Sequence, residues 1–254
     1  MDRARAFEFD GTTGVGVVLL HGFTGAPQEV EPVGRSLADI GVGSIGPMLP
    51  GHGTTEMDLQ ACKAHQWTEA ALETLDRAAS RWDEVIVGGL SMGGALSLQV
   101  AAREGARIRG VFSLATPARL VGWRVWALPI AAPLLRTVSK KPGGISDPAL
   151  MRDRVGYDRI PLFSVRELVS LLVEVRREIP RIDLPTLLVH SKKDRTIPIE
   201  SLTEIQSLLT TSSVETVILE RSDHVVTQDV EWPIAEKAIL GFVRACVPEL
   251  LGAP

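Results

Sequence analysis

The sequence predicts an α/β domain with a mainly parallel central sheet that helices flank on both faces. Short apolar, β-branched runs alternate with longer stretches of helical periodicity, which is typical of parallel strands joined by crossover helices. The chain has 254 residues, of which 45% are hydrophobic and 23% are charged. These values predict one globular domain with a large core, interrupted by one insertion.

Strand and helix patterns follow one another along most of the chain. The predicted strands are GVGVVLL (14–20), VGSIGPM (42–48), EVIVGG (84–89), IRGVFSLAT (108–116), LPTLLVHS (184–191) and SVETVILE (213–220). The predicted helices cover 27–41, 65–82, 92–104, 200–209 and 234–247. In the first helix, Pro27 and Gly41 stand where a helix prefers to begin with proline and to end with glycine.

The segment from Arg119 to Arg181 breaks this alternation. It contains prolines, a glycine pair and helical patterns, but no convincing strand. Because it is too long for an ordinary connection, we predict a helical cap insertion over 119–181 within a core formed by 1–118 and 182–254. Its most apolar stretch, 120–135, is shorter than a membrane span and carries Arg124 and two prolines, so a buried or interfacial position is expected.

Charge and cysteine content restrict the partners and the compartment. The net charge of -4 argues against a nucleic-acid interface, so a small-molecule partner is expected. The beginning of the chain lacks the apolar region of a secretory signal, which favours a cytoplasmic location. Cys62 and Cys246 are far apart and lack CxxC spacing, so both are predicted to be reduced thiols.

Ser91 lies between two glycine pairs where a strand is predicted to lead into a helix. A Walker loop would need lysine at Gly94, and a dinucleotide loop would need glycine at Leu90, so neither phosphate loop fits. GLSMG (89–93) does match the GxSxG turn of a nucleophilic serine. In that turn the serine has a strained backbone, and the outer glycines avoid collisions. The alternative is a structural serine in a tight turn.

A serine nucleophile needs a base and a carboxylate that orients it. His224 follows the last predicted strand, so its loop can reach the nucleophile at the carboxyl edge of the sheet. Asp194 follows the preceding strand, whereas Asp223 is adjacent to His224 and poorly placed for its Nδ1. The alternative for Asp194 is a turn-forming residue. The other histidines, for which we favour structural roles, are His21, His52, His65 and His190.

Attack on a carbonyl also needs donors for the developing oxyanion. The backbone N–H of Met92 directly follows the nucleophile, and a second donor is expected from HGFTG (21–25), with Phe23 as the donor residue.

The motifs VVLLHGFTG, LPGHG, GLSMGG, HSKKDRTIP and SDHVV together resemble the α/β-hydrolase superfamily. Within it the chain is most similar to bacterial carboxylesterases and monoacylglycerol lipases with a small helical cap. The resemblance is strong at the motifs and weak in the insertion. It implies the absence of a cofactor and of a metal, and the following site: Ser91 as nucleophile, Asp194 as acid, His224 as base, and Phe23 and Met92 as oxyanion donors.

Similar enzymes place their cap over the catalytic serine, so the insertion is expected to supply an apolar wall for an acyl chain. The candidates for this wall are Leu120, Trp123, Trp126, Leu128, Leu168, Leu171 and Leu172. The alternative is that they only hold the cap to the core, because apolar residues at helical spacing are usually core residues.

The expected activity is hydrolysis of short- to medium-chain acyl esters through an acyl-enzyme. Monoacylglycerol hydrolysis is the main alternative, and a cofactor-free haloperoxidase or a catalytically silent binding protein are more distant ones. Ser91 argues against the aspartate nucleophile of haloalkane dehalogenases and epoxide hydrolases. The expected partner is a small-molecule ester, without nucleic acid or stable membrane insertion, and a monomer is compatible with the sequence.

Overall fold

A seven-stranded sheet forms the centre of the computed structural model, which describes residues 4–120, 132, 135–140, 143–151 and 155–251. The described strands are β1 (Phe7–Phe9), β2 (Val15–Leu20), β3 (Gly43–Gly46), β4 (Glu84–Leu90), β5 (Gly110–Leu114), β6 (Thr137–Ser139), β7 (Arg159–Pro161), β8 (Thr186–Ser191) and β9 (Val214–Leu219). The order in the sheet is β1-β3-β2-β4-β5-β8-β9. Within the described part of this sheet, the edge strand β1 is antiparallel to its neighbour and every other strand pair is parallel, so the predicted fold class is confirmed.

Helices pack against both faces of this sheet. The described helices are α1 (Glu31–Asp39), α2 (Glu56–Ala61), α3 (Ala64–Ala79), α4 (Met92–Glu104), α5 (Pro148–Met151), α6 (Leu162–Glu178), α7 (Glu200–Leu208), α8 (Trp232–Cys246) and α9 (Pro248–Leu251). Two separate apolar clusters result, because successive side chains of a strand point to opposite faces. In β2, Val18 and Leu20 join the cluster with α3 and α4, while Val17 and Leu19 join the cluster with α1 and α8.

The core elements agree with the sequence patterns except in detail. The predicted helix over 27–41 is divided into a 3₁₀ turn at Pro27–Glu29 and α1. Pro32 explains the division, because it lacks the N–H that a continuous helix needs and its ring crowds the preceding turn. Neither β1 nor α2 was predicted, since three and six residues are too few for a clear period.

The described part of the insertion corrects one prediction. It does contain strands, because β6 and β7 form an antiparallel pair. Both have only three residues, which is too short for a recognisable alternation of apolar and polar residues. The helix α6 packs against α2, α3 and α4 of the core. The division into a core and a cap over 119–181 stays a prediction.

The path of the chain through the sheet determines where loops meet. The chain passes from β2 to β3 on one side and then crosses to β4 on the other side of β2. In open α/β sheets, the crevice at such a switch point, beyond the carboxyl ends of the strands, is the usual ligand site. Here the HGFTG loop (residues 21–25) follows β2, and Ser91 follows β4, so both lie at this crevice.

Cys62 and Cys246 are both free thiols. Burial raises the pKa of each thiol, and that of Cys246 reaches about 12.

None of the helices in the described residues has the length and apolar character needed to cross a membrane.

Candidate active site

Ser91 occupies a strained turn between β4 and α4. Its backbone φ is 58° and its ψ is -116°, and its N–H donates to the carbonyl of Leu114 over 2.8 Å. A Cβ on Gly93 would lie 2.0 Å from the carbonyl oxygen of Leu20, and one on Gly89 would lie 2.5 Å from the backbone of Gly93. The close approach of three backbone segments therefore requires glycine on both sides of the serine.

Three predicted residues meet at this turn through direct hydrogen bonds. Nε2 of His224 lies 3.0 Å from Oγ of Ser91, and Nδ1 of His224 lies 2.8 Å from Oδ2 of Asp194. They come from the ends of β4, β8 and β9, in the chain order Ser, Asp, His. Because a carboxylate oxygen only accepts, Nδ1 carries the proton, and Nε2 presents its lone pair to the serine hydroxyl. This is the arrangement that activates a serine.

The two oxygens of Asp194 have different partners. Oδ1 accepts the backbone N–H groups of Thr196 and Ile197, each at 2.8 Å, as in a turn-forming aspartate. Oδ2 is thereby turned toward His224. The carboxyl group is fully buried, and the ring of His190 lies beside it with Nε2 bonded to the carbonyl of Ile197. The turn geometry thus orients the carboxylate. Asp194 can therefore form the turn and also serve as the carboxylate that orients His224.

Asp223 has other partners, although it is adjacent to His224. Its carboxylate accepts the backbone N–H and the guanidinium of Arg195 and the backbone N–H of Gly144. Burial opposes ionisation, but these hydrogen bonds outweigh it and hold the pKa of Asp223 below its usual value. Asp223 therefore connects the loops around His224 and makes no ring contact with it in the hydrogen bonds of the described residues.

Two backbone N–H groups beside Ser91 are available for a ligand. Phe23 and Met92 line the same cavity as Ser91, and neither N–H donates to an acceptor in the described part of the chain. The N–H groups on either side of Phe23 do have acceptors, which are Oε2 of Glu29 for Gly22 and Nε2 of His52 for Thr24. Met92 also begins α4, so the positive end of the helix dipole adds to the field at the serine.

The remaining buried histidines near the site are neutral. Burial lowers the pKa of His21 to about 4. Burial lowers the pKa of His52 to about 3, and the neighbouring His21 adds to this shift. Neither bonds to Ser91: Nδ1 of His21 donates to the carbonyl of Gly22, and Nδ1 of His52 donates to the carbonyl of Pro50.

A cavity of about 590 Å³ opens above Ser91 and His224. This volume is within the range of small-molecule sites, roughly 300–1,000 Å³. The apolar residues in its described lining are Phe23, Leu90, Met92, Pro117, Leu120, Ile160, Val165, Ile197 and Leu168. The polar or charged ones include Thr24, Glu29, Lys140, Arg195 and Thr196. A mainly apolar wall with a few charged groups suits an amphipathic ester.

The residues predicted to contact an acyl chain have different positions. Leu168 lines the cavity. Leu171, one helical turn away in α6, is fully buried in the core cluster and is not in the described lining, so the described cavity gives no support to its predicted contact with substrate. Leu120 lines the cavity, while Trp123, Trp126 and Leu128 lie outside the described residues.

Sequence reasoning missed two charged residues of the lining, Glu29 and Lys140. Glu29 is buried, although the sequence places it in an ordinary helix beginning. Lys140 lies in the insertion, and its Nζ donates to Oγ1 of Thr24 over 2.7 Å. Neither belongs to a motif, and long-range contacts of this kind leave no periodic signal in the sequence.

Comparisons with known proteins agree with this geometry. A family model described as "Serine aminopeptidase, S33" (Hydrolase_4) matches residues 14–231. A thermostable monoacylglycerol lipase from Bacillus sp. (strain H-257) is 28% identical over 235 residues, which cover 91% of both chains. A carboxylesterase from Bacillus subtilis (strain 168) is 25% identical and covers 90% of this chain and 92% of its own.

Solved structures share the fold over nearly the whole chain. The structure described as the metagenome-derived lipolytic enzymes LipS and LipT has a TM-score of 0.90 and 26% identity, and covers 95% of this chain and 98% of the other. Monoacylglycerol lipase from Paleococcus ferrophilus has a TM-score of 0.81 at 17% identity, with 95% and 98% of the two chains covered.

Proposed function

The chain belongs to the Hydrolase_4 family of serine hydrolases with the α/β-hydrolase fold, and from this premise we propose that Ser91, His224 and Asp194 hydrolyse carboxylic esters through an acyl-enzyme. The observation that carries the proposal is the continuous hydrogen-bonded chain from Oγ of Ser91 through the ring of His224 to Oδ2 of Asp194. Ser91 and His224 of this chain line a cavity with a mainly apolar wall. The substrate is a small-molecule ester.

Acylation begins when Nε2 of His224 removes the proton of Ser91 as Oγ attacks the ester carbonyl carbon. The carbonyl π electrons move to oxygen, and the N–H groups of Phe23 and Met92 stabilise the resulting oxyanion. Asp194 holds the His224 ring and stabilises its positive charge. The C–O bond to the alcohol then breaks, and the alcohol leaves with the proton from Nε2, so that Ser91 carries the acyl group.

Deacylation repeats these steps with water. Nε2 of His224 takes a proton from water, whose oxygen attacks the acyl carbon, and the same two N–H groups stabilise the second oxyanion. Collapse of this intermediate returns the proton to Oγ of Ser91 and releases the carboxylic acid. No step requires a group from outside the chain other than water.

Covalent labelling tests the proposed nucleophile. A fluorophosphonate probe should add to Ser91 as Oγ displaces fluoride from phosphorus, and mass spectrometry should locate the adduct on the peptide that contains Ser91. Ser91→Ala should not be labelled, while Ser113→Ala, which changes a buried serine elsewhere, should be labelled like the wild type. An unlabelled wild type would favour the silent binding protein instead.

We propose short- to medium-chain acyl esters as the substrates, with the described part of the insertion forming one wall of the acyl site. Leu120, Ile160, Val165 and Leu168 supply apolar contacts there. Monoacylglycerol hydrolysis is the second candidate. It is favoured by the 28% identity to the thermostable monoacylglycerol lipase and by the charged groups of the cavity, which could bond to glycerol hydroxyls.

A substrate panel separates these candidates. It contains p-nitrophenyl esters of increasing chain length, monoacylglycerols of matched chain length, and an aminoacyl anilide, because the family description names an aminopeptidase. The proposal predicts the highest kcat/KM for short- to medium-chain p-nitrophenyl esters. Higher values with monoacylglycerols would favour the second candidate, and preference for the anilide would contradict both.

A further inference from the structure

Thr24 combines a strained backbone with almost complete burial. Its φ is 62°, in the left-handed region that residues other than glycine and asparagine rarely adopt. Thr24 is 1% exposed. It directly follows Phe23, whose N–H is the proposed oxyanion donor. Strain of this kind persists only when the surroundings hold it in place, and it is common at functional sites.

Thr24 is held by hydrogen bonds at its N–H, its carbonyl and its side chain. Nε2 of His52 accepts its N–H at 3.2 Å, the N–H of Tyr157 donates to its carbonyl at 2.9 Å, and Nζ of Lys140 donates to Oγ1. On the other side of Phe23, Oε2 of Glu29 accepts the N–H of Gly22 at 3.1 Å. The N–H groups that flank Phe23 are therefore both occupied by side chains, whereas the Phe23 N–H has no acceptor among the described residues and is available to a ligand.

His52 is built to act as an acceptor. Nδ1 lies 3.0 Å from the carbonyl of Pro50, which can only accept, so the proton stays on Nδ1 and the lone pair on Nε2. The buried ring contacts Trp67 edge-on and stacks on Tyr157, and its low pKa keeps it uncharged. A protonated ring would turn a donor toward the N–H of Thr24.

The PGHG loop (residues 50–53) is shaped to hold this ring. Gly51 and Gly53, on either side of His52, have φ values of 76° and 73°. A Cβ on Gly51 would lie 2.7 Å from both Leu59 and Cys62, so the loop packs too closely for a side chain there. The sequence motif thus places one imidazole against the HGFTG loop.

We propose that His52 is a positioning residue for the oxyanion site: its Nε2 holds Thr24 in the left-handed conformation that leaves the Phe23 N–H free for the oxyanion. This inference rests on the proposed ester hydrolysis. His52 touches no reacting atom, so its contribution passes through the backbone of Thr24. Removal of the acceptor should weaken binding of the oxyanion more than binding of the ground state.

The test compares two variants with a control. His52→Leu removes the acceptor and keeps an apolar side chain, whereas His52→Gln restores an acceptor at similar reach. Thr68→Val is the control, because it removes a different buried hydrogen bond, from Oγ1 of Thr68 to Gln99. For each protein, kcat/KM is measured with p-nitrophenyl butyrate. Inhibition is measured with a trifluoromethyl ketone, which adds to Ser91 and forms an oxyanion, and with the corresponding alcohol, which cannot.

We expect His52→Leu to lower kcat/KM by about 10- to 100-fold, somewhat less than the effect of losing a whole oxyanion donor. Inhibition by the ketone should weaken by the same factor, while inhibition by the alcohol changes by less than about threefold. His52→Gln should recover activity to within about fivefold of the wild type, and Thr68→Val should lower only the thermal stability.

The proposal is overturned if His52→Leu has wild-type kcat/KM, or if it weakens the ketone and the alcohol equally. Should His52→Leu fail to fold, His52→Phe also removes the acceptor while keeping a flat ring against Trp67 and Tyr157, and it should again weaken the ketone more than the alcohol. Equal effects on both inhibitors would then contradict the proposal. A wild type that is inactive on all esters would instead refute the proposed function, so the two failures differ.

Discussion

The core and the insertion surround Ser91 in different ways. The core supplies Asp194 and His224 from the ends of parallel strands, where sheet geometry brings residues distant in sequence to one edge. The insertion supplies Lys140 and Tyr157, which contact the HGFTG loop, and Gly144, which contacts Asp223. The hydrogen-bonded arrangement of Ser91, His224 and Asp194 therefore comes from strand ends, while the cavity lining and the contacts of the HGFTG loop come partly from irregular segments of the insertion.

Among these changes, loss of the Asp194 carboxylate in the core should have the largest effect on kcat. Asp194→Asn should lower kcat by about 10³- to 10⁴-fold, because an amide no longer fixes the proton on Nδ1 of His224. Asp223→Asn, which alters the contact to Gly144 of the insertion, should cost about tenfold or less, since it leaves the His224 ring bonded to Asp194. Steady-state kinetics on p-nitrophenyl butyrate checks both. A greater loss in Asp223→Asn would mean that the acid has been misassigned.

The next largest effect concerns the turn that carries Ser91. Gly93→Ala should lower the free energy of unfolding by about 3 kcal/mol or more, because the new Cβ would lie 2.0 Å from the carbonyl oxygen of Leu20. Gly241→Ala is the matched control in α8, where a Cβ meets nothing within 4 Å. It should raise stability by about 0.5–1 kcal/mol through helix propensity. Urea unfolding measures both, and equal effects would contradict this account of the turn.

Variants of two leucines in α6 distinguish the effect of core packing from the effect of contact with the substrate. Leu171→Ala should lower the free energy of unfolding by about 2–5 kcal/mol, because it opens a hole in the core. It should leave the preference among chain lengths unchanged. Leu168→Ala enlarges the cavity, so kcat/KM for a decanoate relative to a butyrate ester should rise by about fivefold. An altered preference in Leu171→Ala alone would restore the original expectation for that residue.

The two buried histidines should make the stability depend on pH. Their pKa values of about 4 for His21 and about 3 for His52 lie below the unfolded value of 6.5. The unfolded chain therefore binds more protons below pH 6.5, and stability falls as the pH is lowered. Between pH 7 and pH 5 each histidine should cost about 2 kcal/mol, which urea unfolding can measure. His52→Gln should make this dependence shallower, and an unchanged slope would contradict the assignment.

The core was predictable because its signals are local. Apolar runs identify β2, β4, β5, β8 and β9, and GLSMG (89–93) identifies the serine turn by the glycines that close backbone contact requires. Asp194 could be distinguished from Asp223 by position, since it follows a strand end and Asp223 is adjacent to the base. Strand order then brings these residues to one edge.

The insertion was less predictable because its contacts depend on how irregular segments pack. Leu168 and Leu171 lie one turn apart in α6 and both belong to the core cluster, but Leu168 also lines the cavity, which helical spacing alone cannot show. The bond from Lys140 to Thr24 joins residues 116 positions apart with no periodic pattern. The strained φ of Thr24 likewise has no sequence signal, since threonine rarely adopts it.

The most direct test of the central claim is the turnover of Ser91→Ala on p-nitrophenyl butyrate, measured beside the wild type with circular dichroism to confirm the fold. The account predicts a folded protein whose kcat is lower by about 10⁴-fold or more, because the nucleophile of the acyl-enzyme is gone. Hydrolysis at a near wild-type rate by the folded variant would contradict it.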